Sequence, residues 1–131
     1  MIVLDTHAWV WYVSNPENFS RKAKKAIDDA LDQQQIYISS ISAWEIAMLA
    51  SKKRLELALT VEDWIAKSEK LPFFHFIPVD NAIAVKSVGL PQPFHNDPAD
   101  RIIIATALLL GAAVITKDEK IRNYPHVRTI W

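Results

Sequence analysis

The sequence predicts a single α/β domain of three layers, in which helices cover both faces of a central parallel sheet. Short apolar runs alternate with longer segments of helical character along all 131 residues, which is the usual order in this fold class. The runs are apolar at nearly every position, as expected of strands that are buried on both faces. Half of the residues are hydrophobic, enough for one core in a chain of this length. We therefore expect residues 1–131 to form one domain.

The first half of the chain predicts five elements. They are a strand at 2–4, a helix over 8–13, a helix over 21–34, a strand at 36–38 and a helix from 42 to about 53. Asn15-Pro16 ends the aromatic-rich first helix, and Ser20 is a suitable N-cap for the polar second helix. Ser42 and Glu45 have the S-x-x-E spacing of a capping box, which places the start of the next helix at Ser42.

The second half predicts seven further elements. They are a helix over 60–70, a strand over 73–79, a helix over 80–89, a helix over 98–110, a strand over 112–116, a short helix over 119–123 and a strand over 127–130. Asp97-Pro98 suits an N-cap followed by a first-turn proline, and Gly111 is a typical helix terminator. The helix between them is apolar on nearly every face, which predicts that it is buried.

Composition limits the classes of function. The chain has no cysteine, which excludes disulfides, zinc–thiolate sites and thiol nucleophiles. Fifteen basic and fifteen acidic residues leave no net charge, which counts mildly against a simple nucleic-acid binder. The apolar stretch from Ile102 to Ile115 is shorter than the roughly 20 residues of a membrane span. The N-terminus has no signal-peptide pattern, so we expect a cytoplasmic protein without membrane contact.

Four acidic residues are candidates for one shared site. Asp5 and Asp118 follow predicted strands, and Glu45 and Asp100 lie in the first turns of predicted helices. In parallel α/β folds the working residues gather beyond the carboxyl ends of the strands, so we expect these four acids at one edge of the sheet. Crowded carboxylates repel one another unless a cation joins them or one takes a proton. Mg²⁺ or Mn²⁺ suits such oxygen ligands and supports phosphodiester hydrolysis.

Each acid also has a structural explanation. Glu45 fits a capping box, Asp100 suits the positive end of a helix dipole, and Asp118 is a possible cap for the short helix after it. Asp97 is expected to be an N-cap. Asp5 is the strongest candidate, because a carboxylate that closes a buried strand has no routine capping partner.

The motifs around these acids resemble the PIN-domain family, and within it the VapC-like toxins of type II toxin–antitoxin pairs. The resemblance covers almost the whole chain. Its most specific stretch is 97–107, and the others are Val3 to Ala8, Ser39 to Ile46 and Val114 to Asp118. It implies a magnesium- or manganese-dependent endoribonuclease with RNA as substrate, held inactive by a cognate antitoxin.

The family's acidic set falls on Asp5, Glu45, Asp100 and Asp118, and its small hydroxyl residue falls on Thr6. Asp97 competes with Asp100 as the third acid, and the family pattern favours Asp100 because it stands directly before the apolar helical run. We expect Asp5, Asp100 and Asp118 to hold the metal ion, with Glu45 completing the site directly or through water. Thr6 is expected to bond a carboxylate or the substrate phosphate, and Asp97 to support the site indirectly.

Three basic residues are candidate contacts for RNA phosphates: Arg101 and Lys117, which adjoin proposed ligands, and Lys52, which lies in the basic cluster 52–54. Ordinary solvated charges are the alternative for each of them. His95 and Asn96 precede Asp97 in a loop, where a turn role competes with substrate contact. Five tryptophans are many for so small a domain, and an exposed one is a candidate anchor for a homodimer or an antitoxin helix.

Two other functions compete with the nuclease. One is a non-catalytic α/β binding module whose acids are only helix caps. The other is a small phosphatase or phosphotransfer protein with Asp5 as nucleophile and Lys117 beside it. The common phosphatase signature has a second acid two residues after the first, and His7 occupies that place here.

Overall fold

Five strands and seven α-helices make up the described part of the chain, residues 1–94 and 96–131 of a computed structural model. The strands are β1 (Ile2–Leu4), β2 (Ile36–Ser39), β3 (Phe74–Ile77), β4 (Ala113–Ile115) and β5 (Thr129–Ile130). The helices are α1 (Thr6–Ser14), α2 (Arg21–Asp32), α3 (Ser40–Ser51), α4 (Val61–Glu69), α5 (Asn81–Val88), α6 (Pro98–Leu110) and α7 (Glu119–Arg122). A turn of 3₁₀-helix, Pro16–Asn18, lies between α1 and α2.

The sheet is parallel throughout and has the strand order β3-β2-β1-β4-β5. The chain moves outward from β1 to β2 and β3, and then returns to place β4 on the other side of β1. The crevice beyond the carboxyl ends of β1 and β4 is therefore the switch point of the topology, where open α/β sheets bind their ligands. This confirms the predicted α/β class and its parallel sheet.

Side chains that alternate along the strands form the cores of two outer layers. Ile2 and Leu4 of β1 pack with α1, α2 and α4 on one face of the sheet. Val3, between them, packs with Ile103 and Ala107 of α6 on the other face. Both faces of β1 and β4 are buried, because successive side chains of a strand point in opposite directions. Burial of both faces explains why these strands are continuous apolar runs in the sequence.

Two predicted helix starts are corrected. Helix α1 begins at Thr6, two residues before the predicted start, because the Asp5 side chain caps it. Helix α3 begins at Ser40 with Ser39 as its N-cap, so the capping box predicted at Ser42 and Glu45 is wrong. The pattern was misleading because Ser39 ends β2 and also caps α3, which leaves no loop between the two elements.

The boundaries of α6 agree with the prediction. Asp97 is the N-cap, since its carboxylate accepts the Asp100 N–H at 3.2 Å, and Pro98 occupies the first turn. At the other end, Gly111 has a φ of +69°, a left-handed conformation that glycine adopts without penalty. Both ends of the buried helix are thus set by local sequence, which fixes where Asp100 lies relative to the sheet.

Among the described residues, no helix is long and apolar enough to cross a membrane.

Candidate active site at the carboxyl edge of the sheet

The switch point between β1 and β4 joins Asp5 to the segment that carries Asp118. The Asp5 N–H donates to the Ile115 carbonyl at 3.2 Å, which extends the β1–β4 pairing by one residue. The Thr116 hydroxyl donates to Asp5 Oδ2 and accepts the Asp118 N–H at 3.0 Å. One buried hydroxyl therefore fixes the Asp5 carboxylate relative to the turn that starts α7.

The Asp5 carboxylate is almost wholly buried, with only 7% of the residue exposed. Its Oδ1 accepts the Ala8 N–H at 2.8 Å, so Asp5 is the N-cap of α1. This corrects the expectation that Asp5 has no capping partner. Burial raises its pKa from 3.8 to about 6, although the hydrogen bonds from Thr116 and Ala8 act in the opposite direction. An N-cap does not require burial of its carboxylate, which disfavours the charged form. Capping alone therefore does not explain why a buried acid is at this position.

The Glu45 carboxylate projects from the second turn of α3, beyond the positions where side chains cap helices. Thr6 Oγ1 lies 2.5 Å from Glu45 Oε1 and 2.9 Å from Ser42 Oγ. A carboxylate only accepts and a hydroxyl has one proton, so Thr6 donates to Glu45 and accepts from Ser42. Burial raises the pKa of Glu45, with a smaller contribution from Asp97. Because Ser42 and Glu45 do not form a capping box, capping does not explain why an acid is at position 45.

Asp100 experiences the field of every other acid in the set. Burial raises its pKa from 3.8 to about 8, and the nearby charges of Asp97, Asp118, Glu45 and Asp5 add to the increase. The charges of Asp5, Glu45 and Asp118 therefore act on Asp100, which supports the prediction of a shared site for the four acids. Asp97 is exposed and caps α6, while Asp100 is partly buried. Asp97 is therefore the N-cap that the sequence predicts, and the role of Asp100 as a metal ligand stays a prediction.

The donors in this region suit a hard divalent cation that retains part of its water. All four are carboxylates, and a cation would offset the charge that raises the pKa of Asp100. Within 1–94 and 96–131, however, no three acidic or histidine side chains are close enough together to chelate one ion. Mg²⁺ commonly takes one or two protein carboxylates and fills its remaining positions with water. The residues fit such an ion if some of them bind it through water.

Two clefts border the candidate acids. One has a volume of about 460 Å³ and is bordered by Glu45 and Asp97 between α3 and the start of α6. The other is about 380 Å³ and is lined by Asp5, His7, Trp11, Lys117 and Asp118. Burial raises the pKa values of Asp5 and Glu45, and the charge of His7 offsets part of both increases. The His7 ring therefore also lies near the site. Glu45 is thus accessible from the first cleft, and Asp5 and Asp118 from the second.

The three basic candidates lie in different surroundings. Lys117 lines the cleft with Asp5 and Asp118. Lys52 is exposed and is the C-cap residue of α3, about 10 Å along the helix from Glu45 at 1.5 Å per residue. Arg101 donates from Nε to the Ser87 carbonyl at 2.8 Å and from Nη2 to the Val88 carbonyl at 3.2 Å. Arg101 therefore joins α6 to the end of α5, which favours a structural role.

The sequence does not predict that two hydroxyl residues belong to the site. Thr116 is part of a strand motif in the sequence, and Ser42 has the spacing of a capping residue. Thr116 is fully buried, and it lies two residues before Asp118 at the end of β4. A hydroxyl at that place in a run of apolar residues was the available signal. Asn96 is exposed near Arg101, and His95 lies outside the described residues.

Comparisons with known proteins agree with this architecture. The sequence model of the PIN domain family matches residues 2–127. Ribonuclease VapC22 of Mycobacterium tuberculosis (strain ATCC 25618 / H37Rv) is 33% identical over 132 residues, covering 99% of this chain and 98% of the relative. A toxin–antitoxin complex from Klebsiella pneumoniae contains a chain with a TM-score of 0.65 and 26% identity, covering 95% of this chain and 93% of that one. DNA-bound VapBC from Salmonella typhimurium shares the fold, with a TM-score of 0.63 at 20% identity over 98% and 95% of the two chains.

Proposed function

The chain belongs to the PIN-domain family, and on this premise we propose that it is a divalent-metal-dependent endoribonuclease. The observation that carries the proposal is the position of Asp100 at the switch point of the sheet, where the charges of Asp5, Glu45 and Asp118 add to the burial that raises its pKa. A carboxylate whose charged form is disfavoured by other carboxylates is costly to maintain unless a cation joins them. RNA is proposed as the substrate because the relative with 33% identity is named a ribonuclease.

Asp5 and Asp100 are the proposed principal ligands, with Asp118 and Glu45 binding directly or through water. When bound, a divalent ion supplies charge for the phosphate and acidifies a water molecule. Thr116 holds the Asp5 carboxylate through Oδ2, and the α1 amide holds it through Oδ1. Each oxygen keeps a second lone pair for a ligand. The capping bond is therefore compatible with the proposed role, because it orients the carboxylate.

Glu45 is the proposed group that orients the attacking water or takes its proton. Its pKa is raised by burial, which makes it a better base than an exposed glutamate. Thr6, itself held by Ser42, donates to Oε1 and restricts how the carboxylate rotates. Lys117 in the neighbouring cleft is the proposed contact for a substrate phosphate, and Lys52 is a more distant one. Asp97 acts on Glu45 and Asp100 through its charge.

A partner protein is also part of the proposal. We infer that the chain is the toxin of a type II toxin–antitoxin pair, because the structural relative with 26% identity was solved as a toxin–antitoxin complex. A cognate antitoxin would then cover the acidic edge or hold the substrate away from it. Expression of the chain alone in bacteria should stop growth, and expression of Asp100→Asn should not. Equal growth arrest by both proteins would contradict this inference.

One observation favours the non-catalytic alternative. Asp5, Asp97 and Asp118 are all N-caps, as a binding module with structural acids requires. Glu45 is not a cap, and the raised pKa of Asp100 is a cost that capping does not require. The phosphotransfer alternative needs an accessible nucleophile, whereas Asp5 is buried and both of its oxygens accept hydrogen bonds. The nuclease accounts for more of the geometry than either alternative.

Cleavage of a total-RNA pool, with Mg²⁺ and with a chelator, tests the proposal. Wild type should cleave only with the metal, and Asp100→Asn should lose cleavage while remaining folded by circular dichroism. Asp97→Asn is the matched control, because asparagine is as good an N-cap as aspartate. It should retain cleavage. If Asp97→Asn is inactive while Asp100→Asn is active, the third acid is Asp97. If neither substitution nor the chelator changes cleavage, the proposed function is wrong.

A further inference from the structure

Trp44 differs from the other tryptophans in its exposure. It is 57% exposed, whereas Trp9 and Trp64 are buried. Trp11 and Trp131 pack against each other with ring centroids 5.6 Å apart and an interplanar angle of 57°. Among the described residues, no aromatic ring packs on Trp44. Trp44 also adjoins Ile41 and Met48 in one cleft, so it belongs to an apolar patch and is not a single exposed side chain.

The indole of Trp44 forms one wall of the cleft beside Glu45. Ile41, Trp44, Glu45 and Met48 have the spacing i, i+3, i+4, i+7, so they share one face of α3. The N-terminal turn of α6 closes the other side of the cleft through 97–99. At about 460 Å³ the cleft lies within the range of small-ligand sites. Its lining is mostly apolar, and its carboxylates belong to the acidic set or adjoin it.

We propose that a base of the RNA next to the scissile phosphate stacks on Trp44. The inference rests on the proposed nuclease function, since it assigns a substrate subsite to the same edge. The cleft is continuous with Glu45, so a phosphodiester bound at the acids would bring a neighbouring base to this wall. A flat indole on an apolar floor offers the base a π-face, and such stacking tolerates any of the four bases. Trp44 is thus a positioning residue for the substrate chain.

The composition of the cleft favours a base over a protein side chain. A protein partner on this wall would gain mainly by apolar burial, which does not require a planar ring. A stacked base requires a ring, and the adjacent Asp97 and Glu45 carboxylates can accept hydrogen bonds from its amino groups, as acids do from cytosine N4. Binding of a base therefore depends on a planar side chain at position 44, whereas binding of a protein partner depends mainly on the apolar area of that side chain.

A series at position 44 tests the proposal on single-stranded RNA cleavage with Mg²⁺. We expect Trp44→Phe to stay within a few-fold of wild type, and Trp44→Leu and Trp44→Ala to raise KM by about ten-fold, the usual scale of one base–aromatic stack. The change in kcat should be smaller, because the acids are untouched. Val85→Ala, which shortens an exposed apolar side chain on α5, is the matched control and should leave KM unchanged. Thermal unfolding checks that each variant is folded.

An abasic substrate separates stacking from other effects of the substitution. An RNA that lacks the base beside the cleaved bond should be cleaved with equal KM by wild type and Trp44→Ala. A ten-fold difference that persists on the abasic RNA overturns the proposal, as does a Leu variant equal to wild type. If Trp44→Ala keeps its KM but escapes inhibition by the antitoxin, the wall binds protein. If Asp100→Asn is inactive while the series at 44 is flat, only the stacking inference fails, and the proposed nuclease stands.

Discussion

Replacement of Asp100 by Asn should stabilise the metal-free protein while abolishing cleavage. The folded-state pKa of Asp100 is about 8 against 3.8 for a free aspartate, so the charged form is disfavoured in the fold. The contribution of Asp100 to the free energy of unfolding is fully present below pH 3.8, and it is lost as the pH rises through about 8. The unfolding free energy of the wild type in a chelator should therefore fall across this window.

The size of the effect follows from the same shift. Taken in full, a rise from 3.8 to about 8 corresponds to ~6 kcal/mol, since each tenfold step is 1.36 kcal/mol. Asp100 is only partly buried, so water screens much of this cost, and we expect about 2 kcal/mol. Asn also loses the favourable interaction of an acid with the α6 dipole, which is typically worth ~0.3–1 kcal/mol. The net change at pH 8 should therefore be stabilising.

Urea unfolding in a chelator, followed by circular dichroism between about pH 4 and pH 8, measures the difference. The Asp100→Asn curve should coincide with the wild type near pH 4 and lie above it near pH 8. Asp80→Asn is the matched control: Asp80 caps α5 after β3, two strands from β1, and its substitution should not alter the pH dependence. Adding Mg²⁺ should stabilise the wild type more than the variant. A wild-type-minus-variant difference that is constant with pH would refute the reasoning.

Two further substitutions test the supports of the site, and a third tests the C-terminal end of α6. Thr6→Val removes the donor to Glu45 and should reduce cleavage about tenfold with little loss of secondary structure, measured by initial rates with Thr6→Ser as the rescuing variant. Thr116→Val removes the donor to Asp5 and should weaken Mg²⁺ binding about tenfold by calorimetry; an unchanged affinity would show that Thr116 does not orient this carboxylate. Gly111→Ala meets no atom within 4 Å but retains a φ of +69°, so it should cost about 1 kcal/mol in urea unfolding and leave cleavage intact.

Most of the fold was predictable because its signals are local. The strands next to β1 are apolar runs, since burial on both faces requires it, and the caps at Ser20, Thr60, Asp80 and Asp97 act within three residues of themselves. The start of α3 was predicted wrongly for a local reason too. Ser39 and Ser42 are both plausible caps, and only the pairing of Ser39 with Ile77 in the sheet places the cap at Ser39.

The acids, by contrast, have a clear meaning only in three dimensions. The sequence by itself determined that Asp5, Glu45, Asp100 and Asp118 are candidates, because each follows a predicted strand or begins a predicted helix, and the family pattern favours Asp100 over Asp97. Only the tertiary structure decided which structural explanation holds for each acid. Asp5 is the N-cap of α1, whereas Glu45 is not part of a capping box. Thr116 connects Asp5 to the turn that carries Asp118 through two hydrogen bonds. The reason is that capping is a contact between near neighbours in the chain. Desolvation and mutual repulsion, in contrast, depend on which side chains the packed sheet brings to one edge.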